Sequence, residues 1–195
     1  MASVNRVVSS EAEELILVDD RDRELGHLSK AACHDGAGVL HRAFSAFLFN
    51  AAGELLLQQR ADSKRLWPGY WSNSCCSHPR RGESMQTATA RRLSEELNLT
   101  ADLRFAYRFQ YQASFGELGS ECELCHVFLG RIDDDVHPNS EEISAIRFVS
   151  ADALDRELAE NPERFTPWIK MEWDALQREH ADLLGAYTCA EKPPR

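Results

Sequence analysis

The sequence predicts a domain of mixed α/β or α+β class. Short apolar and aromatic runs bounded by turn signals dominate the first part of the chain. One stretch of helical spacing lies among them, and from residue 151 onward the pattern is helical. Strands around a central helix, with helices at the end, give a sheet covered by helices.

The elements follow in order. Residues 1–13 are polar and without period, and read as a loose terminus. Glu14 to Val18 reads as a short strand, closed by the turn Asp19 to Asp22. Leu40 to Asn50 is an aromatic-rich strand; Asn50-Ala51-Ala52-Gly53 is a hairpin turn signal, and Glu54 to Arg60 is the returning strand. Leu66 to Trp71 is a loop rich in Trp, Pro and Gly, leading into Ser72 to Pro79. Ser84 to Leu99 has helical spacing, with Met85, Ala88, Leu93 and Leu97 near one face and Ser84 as N-cap. Leu103, Phe105, Tyr107, Phe109 and Tyr111 alternate with Arg, Ala and Gln, a period-two strand. After the loop Phe115 to Gly119, Glu121 to Arg131 and Ser144 to Val149 read as strands. The C-terminal helical pattern runs to about Tyr187, broken at Pro162 and Pro167, and residues 188–195 read as loose.

At 195 residues the chain fits one domain, 1–195, with about 70% of its unfolded surface buried on folding. The net charge of −10 argues against nucleic acid and an anionic membrane surface as partners, and at first sight against an anionic substrate. No apolar run approaches the roughly 18 residues of a membrane span. The first residues lack a charged region followed by an apolar one, so no signal peptide is expected. A cytoplasmic location with six reduced cysteines follows as the expectation; adjacent Cys75 and Cys76 suit a disulfide framework poorly.

Several residue patterns can carry chemistry. Glu121 and Glu123 project from one face of their strand, with Cα atoms roughly 6.6–7 Å apart, and that face runs on into Cys125, Val127 and Leu129. Acids leading into a core are costly unless paired, metal-bound or protonated; the alternative is a solvated strand end. His34, His41 and His78 form no local metal motif, but with the two glutamates they make a mixed N/O set suited to Mn²⁺, Mg²⁺ or Zn²⁺. Cys122 and Cys125 with Cys75 and Cys76 offer a zinc site on paper, although the first two lie on opposite strand faces. Cys76, near His78 and ahead of a helix, is either a reactive thiol with a lowered pKa or a buried small hydrophobe. Arg91 with Glu95, and Arg92 with Glu96, are i,i+4 pairs, either a plain salt-bridged helix or a metal and phosphate face.

The segment Ser77-x5-Glu83-x7-Arg91-Arg92-Leu93-x-Glu95-Glu96-x-Asn98-Leu99 resembles the Nudix box, G-x5-E-x7-R-E-U-x-E-E-x-G-U. Ser77 and Asn98 replace glycines, and Arg92 replaces a glutamate that holds magnesium in the superfamily's hydrolases. Trp67 to Pro79 and Glu121 to Cys125 are similar to the type 1 isopentenyl-diphosphate Δ-isomerase family, as are Leu40 to Ser45, Arg60 to Lys64 and Phe165 to Trp168. The resemblance spans about residues 14–184 and implies a Nudix-like fold, a mixed sheet flanked by helices with additional N- and C-terminal elements.

It also implies an activity, the interconversion of isopentenyl diphosphate and dimethylallyl diphosphate, and a set of roles. His34, His41, His78, Glu121 and Glu123 match the family's metal ligands, and Glu96 a carboxylate that helps hold a second, substrate-linked Mg²⁺. Cys76 and Glu123 match the catalytic pair, Tyr111 the tyrosine that assists it, and Trp168 the tryptophan over the hydrocarbon. Lys30, Arg60, Lys64 and Arg92 match diphosphate contacts, so Arg92 reads as a metal ligand exchanged for a phosphate contact. Mg²⁺, with Mn²⁺ or Zn²⁺ in the His/Glu site, is the expected cofactor, and flavin is not. The chemistry suits the residues: an alkene must gain one proton and lose another on opposite sides. An aromatic face would steady the cation between. A Nudix diphosphate hydrolase and a non-catalytic metal-binding domain are the competing readings. A monomer is compatible with the sequence, which leaves the oligomeric state open.

Overall fold

A computed structural model describes residues 7–133 and 135–189; the outer parts of both termini read as loose, 1–6 and 190–195, lie outside the described residues. Two small strands, β1 (Glu14–Val18) and β2 (Glu24–Ser29), pair antiparallel and lead into the five-residue helix α1 (Lys30–His34), capped by the Ser29 side chain. The long strand β3 (His41–Phe49) follows, then β4 (Leu55–Arg60). Sequence patterning misses β2 and α1, and also β5 (Trp71–Ser72) and β6 (Cys75–Ser77), which lie within the Trp-rich loop region. Helix α2 (Met85–Leu97) starts at Ser84, whose hydroxyl accepts from Thr87 N. It ends at Asn98 in the left-handed region, φ +54°, where the Nudix pattern has glycine; asparagine tolerates that conformation better than most residues. Strands β7 (Leu103–Ser114), β8 (Ser120–Arg131) and β9 (Ile143–Val149) precede the helices α3 (Ala151–Glu160), α4 (Pro167–Glu179) and α5 (Ala181–Thr188). Pro167 opens α4 rather than breaking a helix, because a first-turn residue needs no N–H donor.

The Asn50–Gly53 turn forms as expected, with Asn50 Oδ1 accepting from Glu54 N at 2.9 Å, but its strands part after the Phe49–Leu55 pair. Beyond it β3 runs parallel to β8, His41 to Phe49 against Glu123 to Arg131. Its other edge takes β6, with Ser45 opposite Cys76. Strand β4 instead pairs with β9 and β5. A local hairpin signal therefore fixed a turn and not a ladder.

Alternation along β3 divides the core. Phe47 and Phe49 face Ile169, Trp173, Leu176 and Leu184 of the C-terminal helices. Phe44, Ala46 and Leu48 face Ala88, Leu93 and Leu97 of α2 on the opposite side. Each fully buried Leu, Ile or Phe among these contributes about 1.5–3 kcal/mol, which binds both helical layers to one sheet. Strand β7 departs from its uniform alternation. A bulge between Phe105 and Tyr107 switches the face presented. Leu103 packs on the α2 side, whereas Tyr107 and Phe109 pack under the C-terminal helices. Phe105 is left 51% exposed beside His126 and Phe128.

The stretch read as loose through residue 13 is held from Val8 onward. Val8 N donates to Glu142 Oε1 at 2.8 Å, and Lys30 N donates to Glu13 O at 2.8 Å. No helix among the described residues is long and apolar enough to cross a membrane.

Candidate active site

Strand register assembles the site. Glu123 on β8 lies opposite His41 of β3 on one side and opposite Tyr111 of β7 on the other. Glu121, two residues earlier, shares its face, as alternation requires. His34 closes α1, and His78 directly follows β6. Gly119, φ +149°, lets α1 approach: a Cβ there would lie 2.3 Å from the His34 carbonyl oxygen. One ligand atom from each of His34, His41, His78, Glu121 and Glu123 falls within 4.8 Å of all the others.

The chemistry of this cluster fits a divalent ion. The Nδ1 atoms of His34 and His41 each bond a backbone carbonyl at 2.7 Å, Lys30 O and Val39 O. That fixes both tautomers and turns the two Nε2 atoms inward, as in histidines that hold metal ions. His34 Nε2, His41 Nε2 and Glu121 Oε2 are buried without a directed hydrogen bond, although His34 Nε2 and Glu121 Oε2 are 2.7 Å apart. Burial and the neighbouring His34 push His41 down to about 4. Burial and the other two histidines hold His78 well below its ordinary value. These two neutral imidazoles offer lone pairs, whereas burial of His34 is outweighed by Glu121 beside it, which pushes that imidazole up. Burial opposes the charge of Glu121, but His34 beside it brings the carboxyl down to about 2. Burial and the adjacent Glu121 push Glu123 up. Two acids and three imidazoles converging on one buried point are a donor set that a divalent ion would satisfy.

Glu123 is gripped from both ends: Tyr111 Oη donates to its Oε2, and His78 Nε2 bonds its Oε1, each at 2.8 Å. Cys76 does not sit at a helix N-terminus. It lies on β6, and α2 begins only at Met85. Of the two readings of Cys76, the lowered pKa is not found; burial pushes the thiol up, and Glu172 adds to this. Its Sγ lies 2.7 Å from Asn73 Oδ1, 3.5 Å from Ser45 Oγ and 3.9 Å from Ser72 Oγ. Trp168, on the first turn of α4, donates from Nε1 to Ser72 Oγ at 2.9 Å and meets Trp67 edge-on at 5.2 Å.

These groups surround a cavity of about 330 Å³. His34, His78, Glu121 and Glu123 line it together with Cys76, Tyr111, Leu66 and Trp168. Lys30, Arg60, Lys64 and Arg92 line it as well. Their charges are partly spoken for: Lys64 pairs with Glu142, Lys30 bonds Ser9 Oγ, and Arg92 donates to Val8 O at 3.0 Å. Arg60 donates to the carbonyls of Trp67 and Leu66, and its guanidinium lies 5.3 Å from the Trp168 ring centroid. Two expected residues stand behind the wall. His41 belongs to the His/Glu cluster but is fully buried. Glu96 is buried, bonded to Arg92 and 3.7 Å from Cys75 Sγ. Of the other box acids, Glu83 is held by the Arg91 guanidinium through two contacts of 2.8 Å, and Glu95 pairs with Arg91 and Arg92.

The four-cysteine zinc arrangement does not form. All six cysteines are free, and Cys122 is half-buried on the strand face away from buried Cys125. Sequence reasoning missed Glu142, which anchors both Lys64 and the N-terminal segment. It also missed Glu172, whose signal was an acid on the apolar face Trp168, Ile169, Trp173, Leu176.

A sequence model of the NUDIX domain matches residues 39–169. An isopentenyl-diphosphate Delta-isomerase 1 of Photorhabdus laumondii is 42% identical over 174 residues, covering 88% of this chain and 99% of that protein. An isopentenyl-diphosphate Delta-isomerase of Serratia proteamaculans is 45% identical over 158 residues, 80% of this chain and 87% of its own. The chain belongs to the isopentenyl-diphosphate Δ-isomerase family, within the Nudix fold. Among solved structures, a Deinococcus radiodurans protein superimposes on this isomerase-family chain with a TM-score of 0.66 at 23% identity, covering 90% of this chain and 99% of that one. A MutT protein of Methanosarcina mazei gives 0.58 at 22% identity, over 72% and 95%. These two likenesses speak for the fold alone.

Proposed function

We propose that the protein interconverts isopentenyl diphosphate and dimethylallyl diphosphate, a step of isoprenoid biosynthesis. The observation that carries this reading is that Cys76 and the Tyr111–Glu123 pair line one cavity with Trp168. A 1,3-shift of a double bond needs an acid and a base on either side of a flat C5 chain. Glu123, raised toward its neutral form by burial and Glu121, supplies the proton, with Tyr111 holding the carboxylate left behind. Cys76 takes the second proton, and the two exchange roles when the reaction runs backward. Trp168 presents its ring to the tertiary cation, a contact worth about 2 kcal/mol once water is excluded. Lys30, Arg60, Lys64 and Arg92 grip the diphosphate, whose binding energy positions a hydrocarbon with little else to hold.

His34, His41, His78, Glu121 and Glu123 would hold a divalent ion, Mn²⁺, Mg²⁺ or Zn²⁺, whose charge would polarise the Glu123 carboxyl. Glu96, bonded to Arg92 behind the cavity, would help hold a second Mg²⁺ that neutralises the diphosphate. Proton movement alone changes no oxidation state, so no flavin is needed. The cytoplasm is the compartment this reading takes, supported by six free cysteines. The net charge of −10 supports neither nucleic acid nor an anionic membrane as a partner.

Incubation with isopentenyl diphosphate and Mg²⁺ in deuterated water tests the reading. Deuterium-bearing dimethylallyl diphosphate supports it. Released phosphate points instead to a Nudix hydrolase, and unchanged substrate to a metal-binding domain without activity.

A further inference from the structure

Three of the four cations assigned to the diphosphate are tied to one carboxylate. Glu142 directly precedes β9 and is buried. Its Oε1 accepts from the backbone N–H of Val8 at 2.8 Å and of Ser9 at 3.1 Å. Its Oε2 receives the Lys64 ammonium. The two residues it holds reach the other cations. Val8 O accepts from Arg92 Nη1 at 3.0 Å, and Ser9 Oγ accepts from Lys30 Nζ. Glu142, Ser9, Lys30, Lys64 and Arg92 all line the cavity.

The backbone fixes where this carboxylate stands. Ala61 N donates to Glu142 O at 3.0 Å, and Lys64 N closes a turn onto Ala61 O at 3.0 Å. The turn that carries Lys64 therefore hangs from the residue that receives its ammonium. Glu142 N donates to Asn139 O at 3.0 Å, and Asn139 N donates to Glu96 O at 2.8 Å, which joins the same corner to α2.

Two effects of opposite sign follow. A carboxylate beside Lys64 offsets its charge and would weaken the hold on an anion. Against this, a long cationic side chain that is fixed before the ligand arrives has already given up its rotamer freedom. The bonding favours the second effect. An ammonium has three protons and Glu142 occupies one, so two remain for phosphate oxygens. The two amides on Oε1 also absorb part of the carboxylate's charge.

We propose that Glu142 is a positioning residue for the diphosphate, setting Lys64 directly and Arg92 and Lys30 through the Val8–Ser9 strap. The inference rests on the reading that these cations contact a diphosphate.

Isothermal titration of the full chain with inorganic diphosphate at saturating Mg²⁺ tests this, beside steady-state kinetics with isopentenyl diphosphate. Glu142→Gln keeps an oxygen for the strap but turns an NH₂ group toward the Lys64 ammonium, donor against donor. Kd for inorganic diphosphate and KM should both rise about tenfold, with kcat within about threefold, since binding common to ground and transition state is lost. Glu142→Ala also frees the strap and should raise both about thirtyfold or more. Ser9→Ala cuts the link to Lys30 alone and should raise both about threefold; added to Glu142→Ala it should cost less than about twofold more. Unchanged or tighter Kd in Glu142→Gln, a loss confined to kcat, or an undiminished effect of Ser9→Ala on top of Glu142→Ala would overturn the proposal. If the Glu142 variants do not fold, Ser9→Ala decides: a threefold weaker Kd at unchanged kcat supports it, and wild-type Kd overturns it. Wild-type protein that binds inorganic diphosphate without isomerising its substrate removes the isomerase reading alone, and the Kd values still decide this one. Wild-type protein that does not bind inorganic diphosphate overturns it.

Discussion

Tyr111 and Glu123 stand directly opposite one another on antiparallel strands, and the phenol donates to the carboxylate oxygen Oε2 across 2.8 Å. Both groups are buried, so the bond is made where water cannot replace it. Tyr111→Phe removes only that hydroxyl. A hydrogen bond to a charged group is worth about 1.5–3 kcal/mol, so kcat should fall between about tenfold and about a hundredfold at nearly constant KM. A change confined to KM would assign Tyr111 to substrate binding instead.

Chelation should abolish turnover, and Mn²⁺ or Mg²⁺ should restore it. Elemental analysis of reconstituted protein should find about one tightly held ion per chain in the His/Glu cluster. His41→Ala should lose that ion although His41 lies outside the cavity wall, because its Nε2 points into the cluster. Retention of the ion by His41→Ala would remove it from the ligand set.

Gly119→Ala should weaken metal binding from outside the ligand set. The added Cβ would lie 2.3 Å from the His34 carbonyl oxygen, a backbone atom that cannot swing aside. Strain of about 1–3 kcal/mol is expected, shared between lower stability and a displaced His34. Isothermal titration with Mn²⁺ beside a thermal melt separates the two; unchanged affinity and unchanged melting would refute the close approach.

Arg92→Met leaves Glu96 buried without its partner. Breaking a buried ion pair from one side costs about 3–5 kcal/mol, which urea titration would read directly. The same variant should raise KM, since Arg92 also lines the cavity. A stability loss below about 1 kcal/mol would place that pair in solvent.

Glu172 gives a pH signature in stability. Its carboxyl is raised from 4.5 to about 8 by burial, with the Cys125 thiol as its side-chain partner and the Tyr107 hydroxyl donating to its backbone carbonyl. Between those values the folded chain keeps a proton that the unfolded chain has lost. The contribution is therefore fully present below about 4.5 and declines as pH rises toward 8. Glu172→Gln removes the dependence, so its melting temperature should gain on wild type between pH 5 and pH 8. A constant difference across that range would show an acid already ionised.

Local order was legible in the sequence wherever one element carried its own signal. The Ser84 cap and apolar stripe placed α2, and alternation put Glu121 and Glu123 on one face of β8. The spaced motifs around Cys76, the box and Glu121 to Cys125 identified the family, since residue types at set spacings survive where contacts cannot be seen. Strands of two and three residues escaped because they hold only by pairing: β6 exists through β3, and β5 through β4. Face was undetermined in β7, where one extra residue at the bulge reverses every side chain before it relative to those after it. The family resemblance named His34, His41 and His78 as one ligand set, but the distances at which they meet, the burial that raises the Cys76 thiol and the burial of Glu172 beside Cys125 were decided by tertiary structure. Periodicity reports which way a side chain points; the charges and hydrogen bonds it meets come from segments tens of residues away.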